Sequence, residues 1–396
     1  MNRDNQSALV MGIAIIALIA GFAVYFNNPS LNNKGEIGTT GEKPDQKFIP
    51  LSQSSNGKTI DRSQFKMAPE FQKISGYINI NNSQPLTMAN LKGKVVLVEF
   101  WTYSCINCIR NIPHLIDWST RYADKGLVVV GIHSPEFEFE KNIDNVKAAV
   151  QKYGIKYPVL QDNEKKTWNA YENKYWPRKY LIDAEGYTRY NHIGEGNYSE
   201  TENVIQSLLS ERGSGIDLKR LGFNNSINTD NTTTINHIFQ SVDFAKVKTP
   251  DLYLGYDFTR HPIENAEVFH PGQIVTYTIP STSNSTLKPN TIYLEGKWKN
   301  NHDNVELQSD TGRIILNYSA KSVNLVAGSA GQGIVYEDNS LLSHNSQGVD
   351  IKNDSKFTID YPRLYNIVYH QSYDGIHSLV IDVKGKGFQA YVFTFG

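Results

Sequence analysis

Cysteine is nearly absent from this chain of 396 residues, which carries 2. Two thiols cannot build a disulfide framework, so stability at this length must come from an apolar core. They cannot make a four-ligand zinc site alone, and the 10 histidines offer no H-x₃₋₅-H spacing to complete one. Neither cysteine lies near the N-terminus, which excludes a lipobox. An excess of one charge is missing as well: Lys+Arg total 39 against Asp+Glu 40, a net charge of −1. No cluster of Lys and Arg interrupts that balance, and nucleic acid is not an expected partner.

The two cysteines lie three positions apart in KVVLVEFWTYSCINC, residues 94–108. The apolar run before them reads as a strand buried on both faces, and the turn after it delivers Cys105 to the N-terminus of a helix. The helix dipole and unpaired N–H groups there favour a thiolate, while Cys108 sits one turn inside, placed to attack a mixed disulfide. This is the layout of a thiol–disulfide active site. A structural disulfide is the weaker reading, because closing a loop of about four residues removes little chain entropy. A thiol peroxidase is a further alternative, since Thr102 stands three residues before Cys105; the proline expected four residues before that threonine is Val98.

Ser7 to Phe26 contains no charge. At about 1.5 Å per residue it is long enough to cross a hydrocarbon core of about 30 Å. Arg3 precedes it and no basic residue follows until Lys34, which predicts a single-pass anchor with its N-terminus in the cytoplasm and the rest outside. Ala-Gly-Phe-Ala at 20–23 is a poor cleavage site for a signal peptide. Polar stretches at 28–60 and 213–248 read as surface linkers. The predicted organisation is therefore 1–27 stub and anchor, 28–60 linker, 61–212 first domain, 213–248 linker and 249–396 second domain. Sequons at Asn81, Asn197, Asn231, Asn284 and Asn317 fit an exported chain.

Between the linkers, strands at 94–101, 127–133, 157–161, 178–183 and 188–193 alternate with helices at 105–123, 139–153, 164–173 and 199–211, as in a mixed α/β sheet. Together with WTYSCINCIRNIP, GIHSPEFEFE, YPVLQDN, YWPRKYLIDAEG and HIGEGNYSETE, in that order, this stretch resembles the thioredoxin-like part of the DipZ family. The likeness covers residues 66–212 and continues from YLGYDF to the terminal FTFG. It implies a thioredoxin fold, with Cys105 and Cys108 as the redox pair, Glu99 as a buried acid, Pro113 as a helix kink and Pro177 as a cis-proline facing the disulfide. It also implies protein thiols as substrates. Members of the family usually carry a multi-helix electron-carrying membrane domain, here replaced by the single hydrophobic segment, which suggests a separate CcdA-type electron donor. No cofactor beyond the dithiol, and no metal, is expected.

A carboxylate at Glu99 on a strand covered on both faces is desolvated, so its pKa rises, and it can carry the proton that Cys108 loses on attack. Trp176 and Pro177 are expected to shape substrate docking, with Trp101 and Tyr103 as an apolar rim. In HSPEFEFE, residues 133–140, the acids Glu136, Glu138 and Glu140 read as dipole-facing residues at a helix start, and His133 as a satisfied turn histidine.

From residue 250 the pattern changes to short strands: IVTYTI, TIYLEGKW, GRIILNY, SVNLVAG, QGIVYED, KFTIDY, RLYNIVY, HSLVIDV and GFQAYVFTF. An antiparallel β-sandwich or jelly roll is predicted. The family likeness implies a carbohydrate-binding-like module with a glycan or cell-surface ligand as partner; no exposed aromatic platform stands out, and a spacer or protein-docking role is an equal alternative. Trp298 alternates in phase with Ile292 and Leu294 and belongs to the core rather than to a sugar platform.

Overall fold

The computed structural model describes residues 61–80, 85–213, 237–258, 262–279 and 287–396. The expected membrane segment, the linker at 28–60, residues 214–236 and the sequons at Asn81, Asn231 and Asn284 lie outside them. Among the described residues no helix is long and apolar enough to cross a membrane.

The first domain runs β1 (Gly76–Ile78), β2 (Val95–Trp101), α1 (Ile106–Tyr122), β3 (Leu127–His133), α2 (Ile143–Lys152), β4 (Val159–Gln161), α3 (Lys166–Ala170), β5 (Arg178–Ile182), β6 (Thr188–Ile193) and α4 (Tyr198–Glu211). The strands form one sheet in the order β1-β4-β3-β2-β5-β6. Strand β2 pairs parallel with β3 and antiparallel with β5, so it is central and every residue on it is buried. The period-2 reading of β2 holds: Val95, Leu97 and Trp101 pack with α1 and α4, and Val96, Val98 and Phe100 pack on the opposite face against Trp168, Tyr171 and Tyr180. The arrangement is the thioredoxin-like fold.

Two predicted helices are shorter than expected. The stretch 139–153 is divided into a 3₁₀ turn, Glu138–Lys141, and α2, because Asn142 takes an extended backbone and its side chain caps α2 by accepting from Asp144 N at 2.9 Å. The stretch 164–173 shrinks to α3 because Lys165 and Glu172 adopt left-handed φ values of 53° and 52° at its two ends.

The second domain comprises β7 (Leu252–Tyr253), β8 (Ile274–Tyr277), β9 (Ile292–Asn300), β10 (Val305–Leu307), β11 (Thr311–Tyr318), β12 (Ser322–Gly328), β13 (Gly331–Glu337), β14 (Ser340–Leu341), β15 (Lys356–Ile359), β16 (Arg363–Tyr369), β17 (His377–Lys384) and β18 (Gln389–Phe395). Its named pairs are antiparallel, and where a sandwich or jelly roll was expected the 12 strands form one large curled sheet. The corner lies in β9. Its residues Ile292–Glu295 pair with β11, and from Gly296 onward it pairs with β8 and then also with β10. Gly296, at φ 100°, permits the turn without a Cβ penalty. The two halves close over one core in which Trp298 is fully buried, as its phase required.

The domains meet over the start of α1. Ile106, Ile109 and Phe137 of the first domain form one apolar cluster with Tyr253, Val326, Leu364, Tyr391 and Val392 of the second. Ile238, within the stretch read as a surface linker, joins it, while residues 241–248 of that stretch are mostly exposed.

Candidate active site at the start of α1

Strand β2 ends at Trp101, and a turn closed by Cys105 N donating to Thr102 O brings the chain to α1. Cys105 is the N-cap, in extended conformation, and its Sγ accepts from Cys108 N at 3.2 Å. That bond and the positive end of the helix dipole support negative charge on a half-buried sulfur. Cys108 is buried, and its thiol is pushed well above the usual range by burial first and then by its hydrogen bond to Cys105 and the charge there. Both thiols are free. One sulfur therefore stands half-buried at a helix N-terminus, and the other is sheltered beside it.

Glu99 lies on β2, opposite Gly131 of β3 and Lys179 of β5. It is 1% exposed. Its Oε1 accepts from Asn111 Nδ2 at 2.8 Å, and its Oε2 has no hydrogen-bond partner among the described residues. Burial raises its pKa, while the charge of Lys179 and the hydrogen bond from Asn111 act against that rise. The carboxylate is also close enough for its charge to push the Cys108 thiol up. Lys179 Nζ donates to Gly194 O at 3.2 Å. A buried acid, a buried cation across the ladder and a buried thiol thus share one face of the sheet.

The Trp176–Pro177 peptide is cis, as expected. Pro177 is buried and half-buried Trp176 packs, like Cys105, against the apolar cluster that holds Cys108. The indole of Trp176 donates to Ser134 O at 2.9 Å, packs against Trp168 at 4.2 Å with the rings tilted by 39°, and carries the Lys165 ammonium over its face at 4.5 Å.

Residues 66–191 match the AhpC/TSA family, and residues 249–396 match the family described as thioredoxin like C-terminal domain. Protein DipZ of Mycobacterium tuberculosis is 33% identical over 330 residues, which are 83% of this chain and 43% of DipZ. The chain is a DipZ homologue. It spans less than half the length of DipZ, through both of the domains described above. Two proteins named thiol-disulfide oxidoreductases are similar to its first domain: YkuV of Bacillus subtilis, 28% identical over 30% of this chain and 79% of its own, and ResA of Bacillus cereus, 28% identical over 31% of this chain and 68% of its own.

In this DipZ homologue Cys105, Cys108 and Glu99 lie together, and Trp176 packs against the apolar cluster that holds Cys108. The apolar rim does not. Trp101 and Tyr103 are 2% and 1% exposed and offer no open surface. Trp101 points into the core because it shares a face of β2 with Leu97; it meets His133 edge-on at 5.4 Å. Tyr103 stacks on His133 at 5.6 Å, and its hydroxyl donates to Pro362 O of the second domain at 3.2 Å. His133 is a buried core residue, pushed down to about 3 by burial, with Nε2 at 3.3 Å from Thr102 Oγ1.

The acids of HSPEFEFE divide. Glu138 is exposed and pairs with Lys141 at 2.6 Å. Glu140 is fully buried, accepting from Ser104 Oγ at 2.5 Å and from the backbone N–H groups of Glu136 and Phe137, and burial raises its pKa. Glu136 accepts from Tyr253 Oη at 2.8 Å across the domain boundary. Burial and the neighbouring charge of Glu140 push Glu136 up to about 8, against the Tyr253 hydrogen bond. Glu140, Asn111 and Tyr253 were not among the expected site residues. Asn111 was legible, since it lies one turn beyond Cys108 on the buried face of α1. Tyr253 was not, because only the docking of the second domain brings it near Cys105.

Proposed function

We propose that this protein is an exported, membrane-anchored thiol–disulfide oxidoreductase acting on protein disulfides, with Cys105 as nucleophile, Cys108 as resolving thiol and Glu99 as proton carrier. The arrangement of the two sulfurs carries the reading: Cys105 Sγ is half-buried at a helix N-terminus and bonded to Cys108 N, and the Cys108 thiol is buried directly behind it. Attack of the Cys105 thiolate on a substrate S–S bond forms a mixed disulfide and releases one substrate thiolate. Cys108 then passes its proton to Glu99 and attacks Cys105 Sγ, which forms the Cys105–Cys108 disulfide and releases the second substrate thiolate. Two electrons move to the substrate, and reduction of the pair resets the protein. A CcdA-type membrane carrier would supply those electrons, and Ser7 to Phe26 would hold the domains on the outer side. Trp176, packed against the same apolar cluster as Cys105, and Pro177 are assigned the docking edge for an extended substrate chain. The second domain is read as a glycan- or partner-binding module that also walls the site through Tyr253.

Trapping tests this reading. The Cys108→Ala variant is expected to accumulate mixed disulfides with protein substrates through Cys105, and iodoacetamide near neutral pH to label Cys105 of the reduced protein much faster than Cys108. Equal labelling of the two thiols overturns the assignment of roles. Peroxide consumption at Cys105 that outpaces disulfide exchange replaces the oxidoreductase with a thiol peroxidase.

A further inference from the structure

Two imidazoles and a carboxylate converge at one end of the second domain, on residues that the exchange chemistry does not use. Glu337 ends β13, His370 follows β16 and His377 opens β17. One ligand-capable atom from each lies within 4.8 Å of the others. His370 Nε2 is 3.1 Å from Glu337 Oε1, and the two imidazole rings stack at 4.8 Å and 18°.

His377 is oriented from behind. Its Nδ1 lies 2.9 Å from Asp338 Oδ2, and that carboxylate is itself anchored by Ser378 N at 2.9 Å. A carboxylate partner places the ring proton on Nδ1 and leaves the lone pair on Nε2. His377 Nε2 is buried with no hydrogen-bond partner among the described residues. A buried lone pair without a donor costs free energy unless something outside the described protein atoms takes it. Tyr318 Oη donates to Glu337 Oε1 at 2.5 Å and fixes the third group in the same way.

We propose that Glu337, His370 and His377 bind a divalent first-row transition ion such as Zn²⁺. Imidazole nitrogen with one carboxylate oxygen suits such an ion, whereas Ca²⁺ and Mg²⁺ call for oxygen ligands throughout. Bonds of about 2.0–2.2 Å in a tetrahedral site hold ligand atoms about 3.3 Å apart, so the His370–Glu337 pair is already at bonding separation and a pair at the 4.8 Å limit closes by about 1.5 Å. The three side chains are 10–17% exposed, which leaves the fourth position open to water. The bound ion would tie the end of β13 to the connection between β16 and β17.

Isothermal titration of Zn²⁺ into the full-length protein carrying Cys105→Ser and Cys108→Ser, so that the dithiol does not compete, is expected to show one equivalent bound. Changing His377 to Gln is expected to weaken binding more than a hundredfold, and Asp338→Asn about tenfold, since loss of an orienting partner costs about 10–100-fold in affinity. Added Co²⁺ should broaden the imidazole resonances of His370 and His377 ahead of those of the other histidines, a reading that needs no variant of the site. Absence of Zn²⁺ binding, unchanged affinity in the His370→Gln/His377→Gln double variant, or uniform broadening of all histidines overturns the proposal.

Discussion

Replacing Glu99 with Gln isolates the proton transfer from the first attack. Gln has the same shape, and its carbonyl oxygen can still accept from Asn111 Nδ2, which is 2.8 Å away in the native site. What disappears is the buried charge opposite Lys179 and the acceptor for the Cys108 proton. Because the folded-state pKa of Glu99 is raised, the folded protein holds this proton where the unfolded chain has lost it, and Glu99 therefore lowers stability as pH climbs from the ordinary carboxylate range through the raised value. Glu99→Gln removes that slope, and the variant should melt no lower than wild type at neutral pH and gain on it as pH rises. Chemistry should suffer where stability does not. Loss of a positioned acid–base group costs about 10²–10⁴ in rate, so resolution by Cys108 should slow at least about a hundredfold near pH 7. Attack by Cys105 should change no more than about threefold, because its anion rests on the helix N-terminus and Cys108 N. Rapid mixing with a model disulfide, followed from about pH 5 to 9 for both proteins, separates the two steps. Unchanged resolution with an unchanged pH profile would falsify the assignment and make Glu99 a structural residue only.

The domain boundary should titrate through Glu136: its pKa rises from 4.5 to about 8, so stability falls as pH climbs through that window, by about 1.4 kcal/mol for each pH unit crossed. Melting curves of Glu136→Gln should lose that part of the pH dependence, and a slope identical to wild type would mean that the carboxyl is solvated. At the corner of β9, Gly296→Ala places a Cβ 3.1 Å from Thr311 O at a φ of 100°, and urea unfolding should show a loss of about 1–3 kcal/mol. No loss there would mean that β9 does not turn at this residue. Beside the dithiol, Gly131→Ala brings a Cβ to 2.9 Å from Trp101 Nε1 and 3.3 Å from Tyr157, so denaturation should show a cost of about 1–3 kcal/mol from overpacking; unchanged stability would mean that the register of β2 with β3 differs.

The start of α1, the buried face of β2 and nine of the twelve strands of the second domain were legible in the chain, because each rests on short-range periodicity; the two- and three-residue strands β7, β10 and β14 were too short to show one. Alternation put Glu99 on the face of Leu97 and Trp101, and the spacing of Cys105 and Cys108 placed both at the first turn of one helix. Period-2 strands from IVTYTI to the terminal FTF were realised within a few residues of their expected limits. Helix ends were less legible, since they hinge on single backbone dihedrals such as those of Lys165 and Asn142. Whatever depends on partners distant in sequence came from the tertiary structure alone. Trp101 and Tyr103 looked like a rim because aromatic residues beside a reactive sulfur are locally ambiguous; the α1 packing and the Tyr103–Pro362 hydrogen bond bury them. Lys179 opposite Glu99 depends on the register of β5, separated by much of the first domain from β2. The Glu136–Tyr253 bond and the convergence of Glu337, His370 and His377 likewise depend on long-range pairing. Local sequence determined which residues turn inward and where the thiols stand on their helix; the long-range closure of sheet and domains decided which charges and rings those inward residues meet.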